Sequence, residues 1–115
     1  MTVKLALVVR TDLGMGRSKI ASQAAHAAVV AALASYGGAD FETWLGDGQP
    51  KVVLRVSTGE HLLEVVRQAR AGGLPVHVVQ DAGRTQVRPG TVTCCAVGPA
   101  ASHRIDAVTA ALPLL

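Results

Sequence analysis

The hexapeptide Asp81–Gln86 (Asp-Ala-Gly-Arg-Thr-Gln) brings four different polar functional groups together within one tight turn. It follows an apolar, strand-like run at residues 74–79. The carboxylate of Asp81, the guanidinium of Arg84, the hydroxyl of Thr85 and the final carboxamide can together bind a charged substrate and activate a water molecule that attacks it. Packing alone rarely requires all four groups in one turn, so the hexapeptide is a candidate hydrolytic site.

A second set of polar side chains shares one face of a predicted helix. Lys19, Gln23 and His26 are spaced i, i+4 and i+7, which places them within about 60° of one another around the helix axis. The helix dipole disfavours a cation in the first turn by about 0.3–1 kcal/mol, so Lys19 breaks a local rule without an evident structural gain. The alternatives are that Lys19 is simply solvent-exposed and that His26 is a partly buried structural histidine.

Apolar runs alternate with helix-prone segments along the chain. The predicted strands are Val3–Arg10, Lys51–Val56, Leu74–Val79 and Thr91–Val97. The predicted helices are Ser18–Ser35, Asp40–Leu45, Glu60–Ala71 and Ile105–Leu112. This order predicts an α/β layered domain whose sheet is covered on both faces. The link at residues 80–91 carries no predicted helix, which favours an antiparallel connection and a mixed four-stranded sheet.

The two polar sets would meet at one edge of that sheet. The first strand leads into the loop before Lys19, and the third leads into Asp81. Ligands of open α/β sheets gather outside the carboxyl ends of the strands. If these two strands are parallel and the fourth runs against them, Thr93 reaches the same edge. The sequence therefore predicts one site built from segments that are distant along the chain.

Composition excludes several classes of protein. The chain has 115 residues, of which 50% are hydrophobic, and this fits a single domain over residues 1–115 and argues against disorder. No apolar run approaches the roughly 20 residues that cross a bilayer, and no secretory leader is recognisable. We therefore expect a cytoplasmic protein with no membrane segment. The formal charge of +3 is by itself only a weak indication of an anionic partner.

Metal and redox chemistry find little support in the sequence. Cys94 and Cys95 are adjacent, which excludes an ordinary disulfide between them, and we expect both to be buried in the fourth strand. The four histidines, at positions 26, 61, 77 and 103, form no metal-binding pair of the HxxxH kind. We expect neither a metal nor a cofactor.

An ordered series of motifs over nearly the whole chain resembles the type 2 peptidyl-tRNA hydrolase family. The matching segments are Lys4–Arg10, Asp12–Leu13, Met15–Gln23, His26–Ala27, Trp44, Gly48–Gln49, Lys51–Leu54, Asp81–Gln86, Pro89–Gly90, Thr93, Val97–Pro99, Ile105–Asp106 and Val108–Thr109. The ordered set at family-like spacing is far more specific than the hexapeptide alone. The chain departs from the family at residues 17–18, 24–25, 94–95 and 110–115, and none of these departures removes a candidate catalytic group.

The resemblance implies a three-layer α/β/α fold with a mixed four-stranded sheet, a homodimer, and hydrolysis of the ester that joins a peptide to tRNA, which frees the tRNA for reuse. The positions that match the family's functional residues are Lys19, Gln23, His26, Asp81, Thr85 and Thr93. Our hypothesis is that Asp81 orients or deprotonates the attacking water, Lys19 stabilises the oxyanion or lowers the pKa of a neighbour, and Gln23 and the two threonines position water and substrate. His26 is the alternative base, or it holds Asp81 or a loop in place.

Four arginines in or beside loops are candidate contacts for tRNA phosphates: Arg10, Arg17, Arg84 and Arg88. An ion pair of Arg84 with the turn at Asp81 is an alternative, as is simple solvation of Arg88. The rival function is a non-catalytic module that binds RNA or a partner protein through the same basic edge. Retention of both Lys19 and Asp81 favours the enzyme.

Overall fold

Four strands form one mixed sheet in the computed structural model, which describes residues 2–83 and 88–115. The strand order is β2-β1-β4-β3. The strands are β1 (Val3–Arg10), β2 (Lys51–Val56), β3 (Val76–Gln80) and β4 (Val92–Ala101). β1 and β2 are parallel, whereas β4 is antiparallel to both β1 and β3. β1 and β3 consequently run in the same direction, and their carboxyl ends share one edge of the sheet. The predicted mixed four-stranded sheet is confirmed.

Two helices cover each face of this sheet. The helices are α1 (Arg17–Ser35), α2 (Ala39–Gly46), α3 (Gly59–Ala71) and α4 (Ser102–Thr109). α1 and α2 pack on one face, where Phe41 and Trp44 are buried. α3 and α4 pack on the other face around Leu62 and Ile105. The predicted three-layer α/β arrangement is therefore confirmed. No helix within residues 2–83 and 88–115 has the combination of length and apolar character that crossing a membrane requires.

β1 lies inside the sheet, and it is buried on both faces. Leu5, Leu7 and Val9 contribute to the core under α1 and α2, whereas Ala6 and Val8 contribute to the core under α3 and α4. A strand that is covered on both sides needs apolar residues at successive positions rather than at alternate ones. This requirement explains why the first segment of the sequence is a nearly continuous apolar run.

The prediction for the end of the fourth strand was wrong. β4 continues to Ala101 instead of ending at Val97. A glycine–proline pair usually interrupts a strand, but Gly98 has a φ of 109° and donates its backbone N–H to the Pro75 carbonyl at 2.9 Å. Pairing with β1 then resumes at Ala100.

The prediction for the last helix was also wrong at both ends. α4 begins at Ser102 rather than Ile105 and ends at Thr109 rather than Leu112. The chain after α4 returns to the outer edge of β2, where Pro113 accepts a backbone hydrogen bond from Arg55 and Leu115 donates one to Val53, both at 3.0 Å. This long-range pairing ends the helix early. The remaining predicted boundaries agree with the structure within two residues.

Candidate active site

The carboxyl ends of β1 and β3 meet the beginning of β4 beside the first turns of α1. Asp81 directly follows β3, and Thr93 is the second residue of β4. Lys19 and Gln23 lie in the first two turns of α1. The structure thus brings together four of the six side chains that the sequence indicates for catalysis.

Lys19 and Asp81 form an ion pair between α1 and the end of β3. The Asp81 side chain is fully buried and that of Lys19 is 11% exposed, so Lys19 is not simply a solvated surface residue. The second carboxylate oxygen, Oδ2, accepts the backbone N–H of Gly83 at 2.6 Å. Burying a charge is costly unless it is paired and hydrogen-bonded, and these contacts hold the carboxylate in one orientation.

Backbone hydrogen bonds fix Asp81 as well. Its N–H donates to the Thr91 carbonyl, and its own carbonyl accepts the N–H of Gly90, both at 2.8 Å. These bonds extend the pairing of β3 with β4 beyond the last strand residue. The position of the carboxylate therefore depends on the sheet as well as on its own side-chain contacts.

Thr93 and Gln23 form a second, uncharged pair between β4 and α1. The hydroxyl of Thr93 donates to Oε1 of Gln23 at 2.6 Å, and both side chains are buried. The thiol of Cys94 lies 3.4 Å from the backbone carbonyl of Gln23. A buried carboxamide and a buried hydroxyl each need a hydrogen-bond partner, and here each satisfies the other.

Small residues on α1 allow these contacts to form. Ala27 and Ala31 are buried against the sheet, and they continue the four-residue spacing that begins with Lys19 and Gln23. Residues four positions apart share one helix face. Since alanine side chains are short, the helix lies close enough to the sheet for Gln23 to reach Thr93.

His26 lies outside this buried stripe. It is exposed and lines a shallow groove of about 360 Å³ together with Ser22, Ala25, Val29 and Val30. The alternative of a partly buried structural histidine is therefore wrong. The structure gives His26 no contact with Asp81 among the side-chain hydrogen bonds of the described residues.

The candidate tRNA-binding arginines differ in their surroundings. Arg17, the first residue of α1, and Arg88, which precedes β4, are exposed. Arg10 is directed inward and forms a bidentate ion pair with Asp12, at 3.0 Å from Nε to Oδ1 and 2.8 Å from Nη2 to Oδ2. Arg84 and Thr85 lie outside the described residues. Only two of the four predicted arginines are therefore shown on the surface.

The Arg10–Asp12 ion pair changes the pKa values of both partners. Hydrogen bonds from Arg10 lower the pKa of Asp12 below its ordinary value, and the same contacts raise the pKa of Arg10.

The two cysteine thiols respond to burial, which raises the pKa of Cys94 to about 11 and that of Cys95 to about 12. Both cysteines are fully buried as expected, and neither is a thiolate nucleophile at neutral pH.

Sequence reasoning missed the contributions of Asp12 and Gly83. Asp12 holds Arg10, and its separation of two residues from that arginine was a signal for this contact. Gly83 has a φ of 79°, and a Cβ at this position would lie 2.9 Å from Cβ of Pro89. Its presence inside the polar hexapeptide was the signal that this turn needs a glycine.

The site offers a carboxylate, an ammonium group, a hydroxyl and a carboxamide at one edge of the sheet. Within the described part of the chain, no three His, Cys, Asp or Glu side chains are grouped so that they could hold a metal ion. The groups that are present can accept a proton, stabilise a negative charge and hold polar substrate atoms by hydrogen bonds. This combination suits hydrolysis by an activated water molecule.

Comparison with known proteins agrees with this chemistry. A family model described as peptidyl-tRNA hydrolase PTH2 matches residues 3–115. The peptidyl-tRNA hydrolase of Metallosphaera sedula is 50% identical over 117 residues, which covers 98% of this chain and 100% of the relative. That of Sulfolobus acidocaldarius is 46% identical over 120 residues, with coverage of 98% and 100%. That of Methanopyrus kandleri is 50% identical over 113 residues, with 97% of each chain covered. Because the family match includes the whole cluster around Lys19 and Asp81 and extends over almost the entire chain, this protein belongs to the peptidyl-tRNA hydrolase PTH2 family.

Proposed function

We propose that the Lys19–Asp81 pair is the catalytic centre of an enzyme that hydrolyses the ester bond between a peptide and tRNA. The observation that carries this proposal is a buried carboxylate–ammonium pair at the strand ends of a chain that belongs to this family. Since a buried ion pair adds little net stability compared with apolar residues of the same size, a role in chemistry accounts for its presence better than a role in packing.

In the proposed reaction, Asp81 accepts a proton from a water molecule whose oxygen attacks the ester carbonyl carbon. The carbonyl oxygen becomes an oxyanion, and the positive charge of Lys19 stabilises it. The bond from the carbonyl carbon to the ribose oxygen then breaks. The proton held by Asp81 passes to that ribose oxygen, so that the products are a peptide with a free carboxyl group and tRNA with a free hydroxyl.

Thr93 and Gln23 have a positioning role in this proposal. Because Oε1 of Gln23 accepts the Thr93 hydroxyl, the carboxamide has its N–H donors to offer to a bound substrate or water. Thr85 is a further predicted contributor from outside the described residues. His26 is the alternative base, and its exposed position one turn beyond Gln23 favours Asp81 instead.

The exposed guanidinium groups of Arg17 and Arg88 suit contacts with tRNA phosphates. Such contacts are independent of sequence and weaken as the salt concentration rises, which suits an enzyme that accepts many tRNAs. Arg84 remains a predicted contact of the same kind. Removal of one phosphate contact should raise KM. It should also reduce the slope of log affinity against log salt concentration by about one.

We further propose that the enzyme is a homodimer of single-domain chains, that it acts in the cytoplasm and that it needs neither metal nor cofactor. The apolar residues Val29 and Leu33 on α1 are 57% and 71% exposed, and exposed apolar residues that are grouped together often mark an interface. Sedimentation of the purified protein measures the oligomeric state. A monomer at micromolar concentration would rule out the homodimer.

The test of function compares N-acetylaminoacyl-tRNA with the unblocked aminoacyl-tRNA, each with and without EDTA. We expect release of the blocked amino acid only, with no effect of EDTA, and loss of this release in Asp81→Asn. The matched control is Asp106→Asn, which removes the carboxylate of another lysine–aspartate pair, Lys4–Asp106, at 2.6 Å. That control should retain activity. Binding of tRNA without turnover would support the non-catalytic module instead.

A further inference from the structure

The side chain of Arg10 joins segments that carry the candidate site. Two of its nitrogen atoms donate to the carboxylate of Asp12, which lies in the loop between β1 and α1. A third, Nη1, donates to the backbone carbonyl of Val92, the first residue of β4, at 3.1 Å. The Arg10 side chain is only 16% exposed. One guanidinium therefore connects the end of β1, the loop before Lys19 and the strand that begins beside Thr93.

The start of α3 is shaped to accept this guanidinium. A Cβ built on Gly59, the first residue of α3, would lie 2.8 Å from Nη1 and 2.9 Å from Cζ of Arg10. Gly59 does not have a positive φ, so its backbone conformation does not require glycine. Close contact with the guanidinium is the reason that the structure provides for a glycine at this position.

Both pairs of the candidate site depend on the segments that Arg10 connects. Asp12 lies seven residues before Lys19, and Val92 directly precedes Thr93. Val92 also pairs with Gln80, which directly precedes Asp81. A shift of the Arg10 contacts would consequently move the loop that leads to Lys19 and the strands that carry Asp81 and Thr93.

We propose that Arg10 and Asp12 are positioning residues that hold the Lys19–Asp81 and Gln23–Thr93 pairs in their positions relative to each other, and that Arg10 is not a tRNA ligand. This inference rests on the proposed hydrolase function. The charge of Arg10 is balanced by Asp12 at bidentate hydrogen-bonding distance, and most of the side chain is shielded from solvent. A phosphate contact would have to compete with that carboxylate. Arg17 and Arg88, by comparison, are exposed.

The test measures kcat, KM and the salt dependence of KM with N-acetylaminoacyl-tRNA for Arg10→Gln, Asp12→Asn and the double variant. We expect each single variant to lower kcat by about 10- to 100-fold, because small displacements of catalytic groups have effects of this size. KM and its salt dependence should stay near the wild-type values. The double variant should be no worse than Arg10→Gln alone, since that change already breaks the contact with Asp12 as well as the one with Val92.

The matched control is the Arg67–Glu64 pair on α3, which is also bidentate, with Nε to Oε2 at 2.9 Å. Its two side chains are 68% and 44% exposed, so Arg67→Gln and Glu64→Gln should leave kcat and KM unchanged. If Arg10 binds phosphate instead, Asp12→Asn frees the guanidinium and lowers KM, whereas Arg10→Gln raises KM and reduces its salt dependence. That pattern would overturn the positioning role.

Gly59→Ala supplies a test that leaves the charges of Arg10 and Asp12 unchanged and does not depend on the folding of the Arg10 variant. Alanine is the better helix former, so the variant should remain folded while its Cβ displaces the guanidinium. We expect a lower kcat with an unchanged KM. If wild-type protein hydrolyses the substrate while Gly59→Ala and Asp12→Asn both keep full kcat, the positioning role is refuted and the hydrolase function stands. If the wild-type protein releases no peptide, the proposed function itself fails.

Discussion

Lys19 and Asp81, 62 residues apart in the chain, form an ion pair whose carboxylate is completely shielded from solvent. The pair connects the first turn of α1 to the end of β3, and thus joins the helix layer to the sheet at the site. Its two charges depend on each other, because a buried charge that loses its partner is strongly destabilising. We therefore expect the free energy of unfolding to depend on whether one or both charges are removed, whereas catalysis should be lost in either case.

Lys19→Met should destabilise the protein by about 3 kcal/mol, because it removes a cation that is paired with the buried Asp81. The double variant Lys19→Met with Asp81→Asn should lose less stability than the sum of the two single variants. All three variants should lack hydrolase activity. Urea denaturation gives the free energies of unfolding. The control is Lys4→Met, whose partner Asp106 is 53% exposed, with an expected loss below about 1 kcal/mol. Additive single effects would contradict the coupling.

Thr93→Val should cost about 1–3 kcal/mol of stability, because it leaves the buried Oε1 of Gln23 without the hydroxyl that donates to it. The same change should lower kcat, since Gln23 is then no longer held in place. Thr93→Ser keeps the hydroxyl and should retain most of the activity. Thermal unfolding and steady-state kinetics measure the two effects. Equal kcat values for the valine and serine variants would exclude a role for the hydroxyl.

Gly83→Ala should lower kcat by about 10-fold or more, because it moves the N–H that is donated to Asp81. An added Cβ would meet the ring of Pro89, and the φ of 79° disfavours any other residue. Gly37→Ala, between α1 and α2, is the matched control. Gly37 has a φ of 81° but no atom within 4 Å of the added Cβ, so its variant should lose stability without a comparable loss of kcat. Similar kcat values for the two variants would argue against the steric explanation.

The free energy of unfolding should fall between about pH 9 and pH 11. Burial raises the pKa of Cys94 from 9.0 to about 11 and that of Cys95 to about 12. In this range the unfolded chain loses its thiol protons while the folded chain keeps them, so unfolding becomes more favourable as the pH rises. Each thiol contributes about 1.4 kcal/mol per pH unit.

Cys95→Ala tests this dependence. Its deficit in stability relative to the wild type should shrink as the pH rises from 9 to 11, because the variant lacks one of the two titrating thiols. Val97→Ala, which truncates another fully buried residue of β4 without removing a thiol, should show a constant deficit. Urea denaturation at several pH values measures both differences. A constant deficit for Cys95→Ala would show that the Cys95 thiol does not titrate in this way.

Local patterns in the sequence determined the secondary structure and the candidate chemistry. The apolar run at Val3–Arg10 predicted a fully buried strand, and β1 has the same bounds. The polar hexapeptide after the third strand indicated the position of Asp81, and the adjacent cysteines were correctly expected to be buried. The predictions failed where a distant segment decides the boundary, as at the end of α4, where residues 113–115 bond to β2.

Only the tertiary structure decided which polar side chains face each other. The sequence grouped Lys19, Gln23 and His26 on one helix face, but packing of Ala27 and Ala31 on the sheet rotates α1 so that the stripe at four-residue spacing faces inward and His26 faces outward.

Arg10 provides the second example. Its position beside a loop suggests a surface cation, but the nearby carboxylate of Asp12 and the distant backbone carbonyl of Val92 turn its guanidinium inward. Helix rotation and side-chain pairing of this kind depend on contacts between residues that are far apart in the chain. Local composition and spacing therefore specified the elements and the chemical groups, whereas long-range packing specified which of those groups form the site.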